Sequence, residues 1–319
     1  MEKFIDVSDF NDELSEEKTC PLVYPTVESV VDLQEFMRNT FPDRYKAEYL
    51  YHFTKPDVVE KFLKEEADLR CSFFKGMNDD REWLLGIEYI SEYLRSNGEN
   101  TLAEAVYDFP NEVGCSPWIC SFSQDDDKAS MWGMYGDRHL GGYSVGFKRD
   151  DLAELVEEKN LHGNGDEYYL LPCLYRGRHD IDPVLDYILN TRYVDEDEHT
   201  FREGCGYEVP SRILSRIFFL SLIIKDFSFD YENEWRLIVR KHDIPPPIMN
   251  GPELCWSGSP FIWSGIFKKH LRDYIKRIVV SPCGGSRIRK ENFDRLNEQK
   301  SHLALDFTID KSQSPYNGR

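Results

Sequence analysis

The run Tyr231-Glu232-Asn233-Glu234-Trp235-Arg236-Leu237-Ile238-Val239-Arg240 alternates charged and apolar side chains. Because successive side chains of a β-strand point to opposite faces, this pattern predicts a strand from Glu232 to Arg240. Glu232, Glu234 and Arg236 then project together from one face. The opposite face, which is predicted to pack into the core, comprises Tyr231, Trp235, Leu237 and Val239.

Two earlier segments divide their side chains in the same way. In the strand predicted from Glu48 to Thr54, His52 and Thr54 share a polar face, opposite the aromatic residues Tyr49, Tyr51 and Phe53. In the strand predicted from Trp118 to Ser123, Ser121 and Ser123 are opposite Trp118, Cys120 and Phe122.

If the three polar faces converge, they form one cleft with a histidine, two hydroxyl groups and a carboxylate pair. We therefore expect His52, Ser121 and Glu234 to share a cleft. Three simpler interpretations stay open. In the first, the glutamates and Arg236 form an exposed, ion-paired strand face. In the second, His52 is a structural histidine, and in the third, the serines only face solvent.

Helical periodicity separates these strands. A helix is predicted to begin at Pro56, and others are predicted from about Asp80 to Arg95, from Asp126 to Tyr135 and from Pro210 to Lys225. The fold class expected is therefore α+β, with a mixed, mainly antiparallel sheet flanked by helices. We expect an acidic N-terminal arm over residues 1–24, one domain over 25–319, and an irregular insertion at about 159–207.

The composition limits the classes of function. The chain has 58 acidic and 39 basic residues and a net charge of −19, which disfavours nonspecific binding to nucleic acid or anionic lipid. Its eight cysteines form no CxxC pair and have no histidine at zinc-like spacing, so we expect no bound metal. With no predicted membrane span or signal peptide, a reducing cytoplasm is the expected location.

Several short blocks resemble the bacterial domain-of-unknown-function family 2971 from about residue 48 onward. The blocks are Leu50-Tyr51-His52-Phe53-Thr54, Asn78-Asp79 with Glu82, Cys120-Ser121-Phe122-Ser123 with Asp127, Met131-Trp132, Tyr135-Gly136-Asp137, residues 142–147, the Glu-x-Glu-Trp-Arg run at 232–236, and Ser314-Pro315-Tyr316. The order of a histidine strand, a Ser-x-Ser strand and a Glu-x-Glu strand is also similar to the ADP-ribosyltransferase superfamily. His52-Phe53 and the bulky Phe122 depart from that pattern.

The second resemblance implies an enzyme that uses NAD as substrate for ADP-ribosyl transfer or NAD hydrolysis. It implies that Glu234 stabilises an oxocarbenium-like ribose, that Glu232 positions the acceptor, and that His52 binds the adenosine ribose. Ser121 then holds the nicotinamide end, and Trp132 or Tyr135 stacks on the ring, although helical aromatics are commonly core residues. The implied NAD-binding set is His52, Thr54, Ser121, Ser123, Trp132, Tyr135 and Arg236, and the candidates for neutralising pyrophosphate are Arg236, Arg138 and Lys225.

Two other functions fit the same residues. A magnesium-dependent nuclease would use Asp79, Glu82, Glu232 and Glu234 as oxygen ligands, although no lysine follows the glutamate pair at the usual spacing. A non-catalytic regulatory protein would use the polar faces to recognise a partner. The acceptor of any transfer reaction, whether protein, nucleic acid, small molecule or water, is left open by the sequence.

Overall fold

The computed structural model describes residues 27–64, 67–74, 82–107, 117–162, 166–191, 211–241 and 261–315. The predicted arm over residues 1–24 lies outside the described residues, as do Asp79, Tyr316 and residues 192–207 of the predicted insertion. Of Glu82, only its position at the start of a helix is described.

The first half of the chain alternates helices and strands. Its elements are α1 (Val27–Thr40), a 3-10 helix (Pro42–Lys46), β1 (Tyr49–Thr54), α2 (Pro56–Phe62), β2 (Arg70–Phe73), α3 (Glu82–Ser96), α4 (Asn100–Tyr107), β3 (Pro117–Ser123), α5 (Ala129–Tyr135), β4 (Tyr143–Lys148) and α6 (Arg149–His162). Pro56 occupies the first turn of α2, where its missing N–H is not needed.

The second half supplies the remaining strands. Its elements are β5 (Glu167–Pro172), β6 (Leu174–Tyr175), α7 (Ile181–Asn190), α8 (Ser211–Ser221), β7 (Ile224–Lys225), a 3-10 helix (Phe227–Glu232), β8 (Glu234–Arg240), β9 (Phe261–Trp263), a 3-10 helix (Leu271–Tyr274), β10 (Ile275–Val280), α9 (Gly285–His302) and β11 (Thr308–Lys311).

Nine of the described strands form one sheet. The main path runs β11-β10-β4-β1-β3-β2-β9, and β8 pairs with β3 and β5. The pairings are antiparallel except that of β10 with β11. The expected class, α+β with a mixed and mainly antiparallel sheet flanked by helices, is confirmed.

Strand β3 is the centre of this arrangement because it pairs with three others. β8 runs along its whole length, from Pro117 opposite Arg240 to Ser123 opposite Glu234. A strand has two edges, so β1 and β2 share the other. β2 pairs with Trp118 and Ile119, whereas β1 pairs with Ser123. Strands β1 and β2 therefore diverge from each other beside residues 120–122 of β3, and we call this opening the sheet gap.

The helices cover the sheet with apolar side chains. α3 packs against α4, α8 and β7, and α6 packs against β4 and β5. At the contact of α3 with α8, the ring centroids of Trp83 and Phe218 are 6.3 Å apart. Trp83 also donates a hydrogen bond from Nε1 to Ser221 Oγ at 2.9 Å. A second, smaller cluster joins β1 to α5 and comprises Tyr51, Phe53, Met131, Trp132, Val279 and Cys283.

Two chain segments differ from the expected organisation. The helix predicted from Pro210 to Lys225 ends at Ser221, and Lys225 belongs to the short strand β7 instead. β5 lies within the segment expected to be an insertion, yet it pairs with β8 in the main sheet and its six residues are buried. No helix among the described residues is long and apolar enough to cross a membrane.

Candidate functional site

Four charged side chains meet on one face of β8, and we call them the ion cluster: Lys225, Glu232, Glu234 and Arg236. The Nζ atom of Lys225 lies 2.6 Å from Glu232 Oε2 and 2.5 Å from Glu234 Oε2. Arg236 donates from Nε to Glu234 Oε1 at 3.0 Å. No member of the cluster is more than 6% exposed. Two cations therefore neutralise two carboxylates inside the protein.

Glu232 reaches the ion cluster from a turn and not from a strand. The 3-10 helix that contains it ends at Asn233, whose φ of 43° lies in the left-handed region. Asparagine tolerates this conformation better than most residues because its short side chain forms local hydrogen bonds. Here the Asn233 side chain donates to Asp125 Oδ2 at 2.7 Å. The expected strand from Glu232 to Arg240 is therefore wrong at its first two residues.

The electrostatics keep Glu234 ionised. Burial alone raises the pKa of this carboxyl group, but the positive charges of Arg236 and Lys225 and their hydrogen bonds outweigh burial and lower its pKa to about 2. The interpretation of the Glu-x-Glu-Trp-Arg run as an exposed strand face paired for solubility does not hold, because Glu232, Glu234 and Arg236 are all buried.

The sheet register separates His52 from Glu234. Tyr51 is opposite Ser123, and Ser123 is opposite Glu234, so these three side chains share one face. His52 follows Tyr51 and therefore projects from the other face. About two strand spacings of ~4.8 Å separate the two backbones, so the residues are close but their side chains project from opposite faces of the sheet. The expected common cleft on one face is wrong for His52, although Ser121 and Ser123 do share the face of Glu234.

The imidazole of His52 is held at the sheet gap. Its Nδ1 donates to the main-chain carbonyl of Ser121 at 3.0 Å, since a carbonyl oxygen only accepts. The same nitrogen is 3.8 Å from Cys120 Sγ, and the ring lies 5.9 Å from that of Phe122. The side chain of His52 thus bridges β1 and β3 at the sheet gap.

His52 and Ser121 are the partly exposed residues of this region. Tyr51, Phe53, Cys120 and Phe122 around them are buried. Thr54 and Ser123, the other predicted NAD-binding residues of β1 and β3, are also buried. The hydroxyl of Ser123 is engaged, because it donates to the Glu232 carbonyl at 2.6 Å. Solvent therefore reaches the sheet at the gap through His52 and Ser121.

A pair of cysteines flanks the gap. Ser72 is opposite Ile119 and Phe73 is opposite Trp118, and one residue beyond this ladder, at the edge of the sheet gap, the same register brings Cys71 beside Cys120. The hydrogen bond from the Cys71 thiol is the largest contribution that lowers the pKa of Cys120 to about 6, and the charge of His52 adds to it. No sequence pattern predicted this group, because the two cysteines are distant in the chain and meet only through the β2–β3 pairing.

The aromatic residues predicted to stack on nicotinamide lie on α5. Trp132 is buried, with its ring 4.7 Å from Phe53 in an edge-on arrangement and its Nε1 donating to Asp127 Oδ1 at 2.7 Å. It is a core residue, as the alternative interpretation held. Tyr135 is partly exposed at the edge of the same cluster. Of the cations considered for pyrophosphate, Arg236 and Lys225 belong to the ion cluster, whereas Arg138 is exposed.

The nuclease ligands do not assemble among the described residues. Glu232 and Glu234 both bind Lys225, and the side chains of Asp79 and Glu82 are not among those described. Within the described ranges, no three histidine, cysteine or acidic side chains are arranged to hold a metal ion. A lysine that neutralises both carboxylates competes directly with a divalent cation for their oxygen atoms.

Together these features define an α+β protein with a divided antiparallel sheet, a buried ion cluster on one face and a histidine–cysteine group on the other. Residues 131–237 match the family model described as "Protein of unknown function (DUF2971)". The matched segment includes the whole ion cluster but neither His52 nor Ser121. The resemblance to that family is supported over this segment, and the one to ADP-ribosyltransferases stays a prediction. No curated protein and no solved structure matches the chain.

Proposed function

We propose that the chain is an enzyme that cleaves the nicotinamide–ribose bond of NAD and passes the ADP-ribosyl group to water or another acceptor. The observation that supports this proposal best is the adjacency of β1, β3 and β8, with His52 and Ser121 partly exposed at the sheet gap between β1 and β2. The three strands named by the resemblance are neighbours, although they are far apart in sequence.

The position of His52 and Glu234 on opposite faces counts against a ligand bound to one face alone, and the gap offers a route by which one ligand contacts both residues. A ligand bound on one face of a continuous sheet touches only that face. A ligand that enters where two strands diverge lies in the plane of the sheet and contacts side chains of both faces. His52 is on one side of the gap, and Ser121 is on the other, directly opposite Arg236.

The chemistry assigns each group a part. The C1′–N bond breaks, nicotinamide leaves with the bonding electrons, and the acceptor oxygen forms the new bond to C1′ while its proton passes to a base. An ionised carboxylate stabilises the cationic ribose, and the low pKa of Glu234 supplies the ionised form. His52 has its Nδ1 bound to Ser121, which leaves Nε2 to bind a ribose hydroxyl.

One requirement follows from the ion cluster. Glu234 is diagonal to Ser121 across the β3–β8 ladder, and Cβ atoms in that relation are about 7–8 Å apart. In the free protein its carboxylate is held by Lys225 and Arg236. Catalysis by Glu234 therefore needs the ribose to displace one of these cations from the carboxylate.

Release of nicotinamide from NAD tests the proposal, and Ser121→Ala is the variant of choice. Ser121 is partly exposed, so its hydroxyl is removable without opening the core, and Ser130→Ala on the exposed side of α5 is the matched control. We expect wild type and Ser130→Ala to release nicotinamide at equal rates and Ser121→Ala to be slower by tenfold or more. Chromatography of the reaction over time, with water alone and with added acceptors, gives the rates.

The same experiment decides the second candidate, a non-catalytic regulatory protein, which is favoured by the full neutralisation of the glutamates. That function predicts no release of nicotinamide under any acceptor condition, which would refute the enzymatic proposal. NAD that raises the unfolding temperature without being consumed would then identify NAD as a bound regulator. Equal rates of nicotinamide release for Ser121→Ala and wild type would show that the reaction does not take place at the sheet gap.

A further inference from the structure

We propose that Cys71 and Cys120 are a site of oxidative modification, at which a peroxide converts the two thiols into a disulfide across β2 and β3. This inference does not depend on the NAD proposal. It follows from the register of two strands and from the position of His52 beside one of the sulfur atoms.

The backbone geometry suits a disulfide. Residues directly opposite in an antiparallel ladder have Cα atoms about 4.5–5.5 Å apart, and disulfides join Cα atoms about 4.4–6.8 Å apart. Cys71 and Cys120 adjoin the directly opposite residues Ser72 and Ile119, so the same register places their side chains next to each other on one face. This proximity is the geometric basis for a disulfide between β2 and β3.

The surroundings make Cys120 the attacking sulfur. Its pKa is lowered to about 6 by the hydrogen bond from Cys71 and by the charge of His52, which together outweigh burial and the smaller effect of Asp68. The pKa of Cys71 is raised, first by the hydrogen bond that it donates to Cys120 and then by burial. Cys120 therefore carries the thiolate, which is the nucleophilic form, and Cys71 keeps its proton.

Access comes through the sheet gap. Both sulfur atoms are buried, with Cys120 only 2% exposed, but His52 contacts Cys120 and is itself partly exposed. His52 thus links the buried thiolate to the sheet gap, and a molecule as small as hydrogen peroxide reaches the sulfur beside this side chain.

The reaction balances in two steps. The Cys120 thiolate attacks one oxygen of hydrogen peroxide, the O–O bond breaks, and the departing hydroxide takes a proton from His52 to form water. Cys71 then attacks the resulting sulfenic acid, loses its proton and displaces a second water. Two thiols are oxidised and one peroxide is reduced to two waters.

Peptide mapping of the whole protein tests the proposal. After brief exposure to hydrogen peroxide and alkylation of the remaining thiols, trypsin releases Cys71 in the peptide Cys71-Ser72-Phe73-Phe74-Lys75. The other partner, residues 96–128, contains both Cys115 and Cys120, and fragmentation before Pro117 tells them apart. We expect the linked peptide to carry the bond at Cys120 and to be lost on reduction.

Two variants sharpen the result. In Cys71→Ala, Cys120 loses the hydrogen bond that lowers its pKa most, so it is expected to oxidise more slowly and to stop at the sulfenic acid, which dimedone traps. Cys283→Ala, which removes a buried cysteine whose sulfur contacts the Trp132 carbonyl, is the matched control and is expected to form the disulfide as wild type does. Mapping of the unaltered protein needs no variant, so the test holds even if one fails to fold. A bond at Cys115, or oxidation of Cys283 before any Cys71–Cys120 peptide appears, would overturn the proposal.

Discussion

The ammonium group of Lys225 lies 2.5 Å from the carboxylate of Glu234, and neither residue is more than 6% exposed. Among the described residues, Glu232 and Arg236 complete the group, which then has two positive and two negative charges. Each charge is stable inside the protein only because its partners are present, since an unpaired ion in the interior is costly. The cluster is therefore a structural element as well as a candidate site.

Loss of one charge should destabilise the whole protein. Glu234→Gln keeps the size of the side chain but removes the negative charge that both Lys225 and Arg236 bind. We expect the free energy of unfolding to fall by about 3 kcal/mol, as is usual when a buried ion pair is broken from one side. Unfolding by urea at neutral pH gives this quantity.

The control for this variant is an ion pair at the surface. Asp57→Asn removes the partner of Lys61, whose side chain is 63% exposed, and should change the free energy of unfolding by less than about 0.5 kcal/mol. Equal stability of Glu234→Gln and wild type would show that the cluster is not structural. If the variant is destabilised, its loss of activity would not identify a catalytic role, which is why Ser121→Ala tests the NAD proposal.

Acid should weaken the protein through the same carboxylate. Its pKa is about 2 in the folded chain and near the ordinary value of 4.5 when unfolded, so the unfolded state binds more protons between these values. The stabilisation is complete above about pH 4.5 and is lost as the pH falls toward 2. We expect the difference in unfolding free energy between wild type and Glu234→Gln to shrink from pH 5 to pH 3, measured by urea unfolding at each pH. A difference that stays constant over this range would contradict the low pKa.

The sequence was sufficient for the individual strands but not for their faces. Alternation identified β1, β3 and β8 because period two is a local property of the chain. The face on which His52 projects depends on the single pairing of Tyr51 with Ser123, and a shift of one residue would reverse it. The turn at Asn233 did carry a local signal, since asparagine is among the few residues that favour positive φ.

Asp127 was part of a sequence block without an assigned role, and the structure gives it one. Its carboxylate accepts hydrogen bonds from Trp132 Nε1 at 2.7 Å and from the main-chain N–H of Ser314 at 3.0 Å, and also from Ser312 and Gln313. One side chain therefore joins α5 to the segment that follows β11.

Replacing this carboxylate should release that segment. Asp127→Asn puts an amide group where two main-chain N–H groups need an acceptor, so we expect faster tryptic cleavage after Lys311 and a loss of about 1–3 kcal/mol in unfolding free energy. Mass spectrometry of the intact chain during proteolysis follows the cut. Asp294→Asn, at an exposed position of α9, is the control and should be cut as slowly as wild type. Equal cleavage of Asp127→Asn and wild type would mean that the tail is held by other contacts.

The closest approach of two helices should make Gly86 intolerant of any side chain. A Cβ atom at this position of α3 would lie 2.5 Å from the carbonyl oxygen and 3.1 Å from the Cα atom of Ser221, at the end of α8. These atoms are backbone and cannot rotate away, so the helices must separate. Separation would also strain the hydrogen bond from Trp83 to Ser221 Oγ. Alanine is favoured over glycine within a helix by about 1 kcal/mol, which opposes this effect.

We expect overpacking to prevail and Gly86→Ala to lower the free energy of unfolding by about 1–3 kcal/mol. Glu88→Ala, on the exposed side of the same helix, should stay within about 0.5 kcal/mol of wild type in parallel urea titrations. A Gly86→Ala protein more stable than wild type would show that α3 and α8 have room to separate.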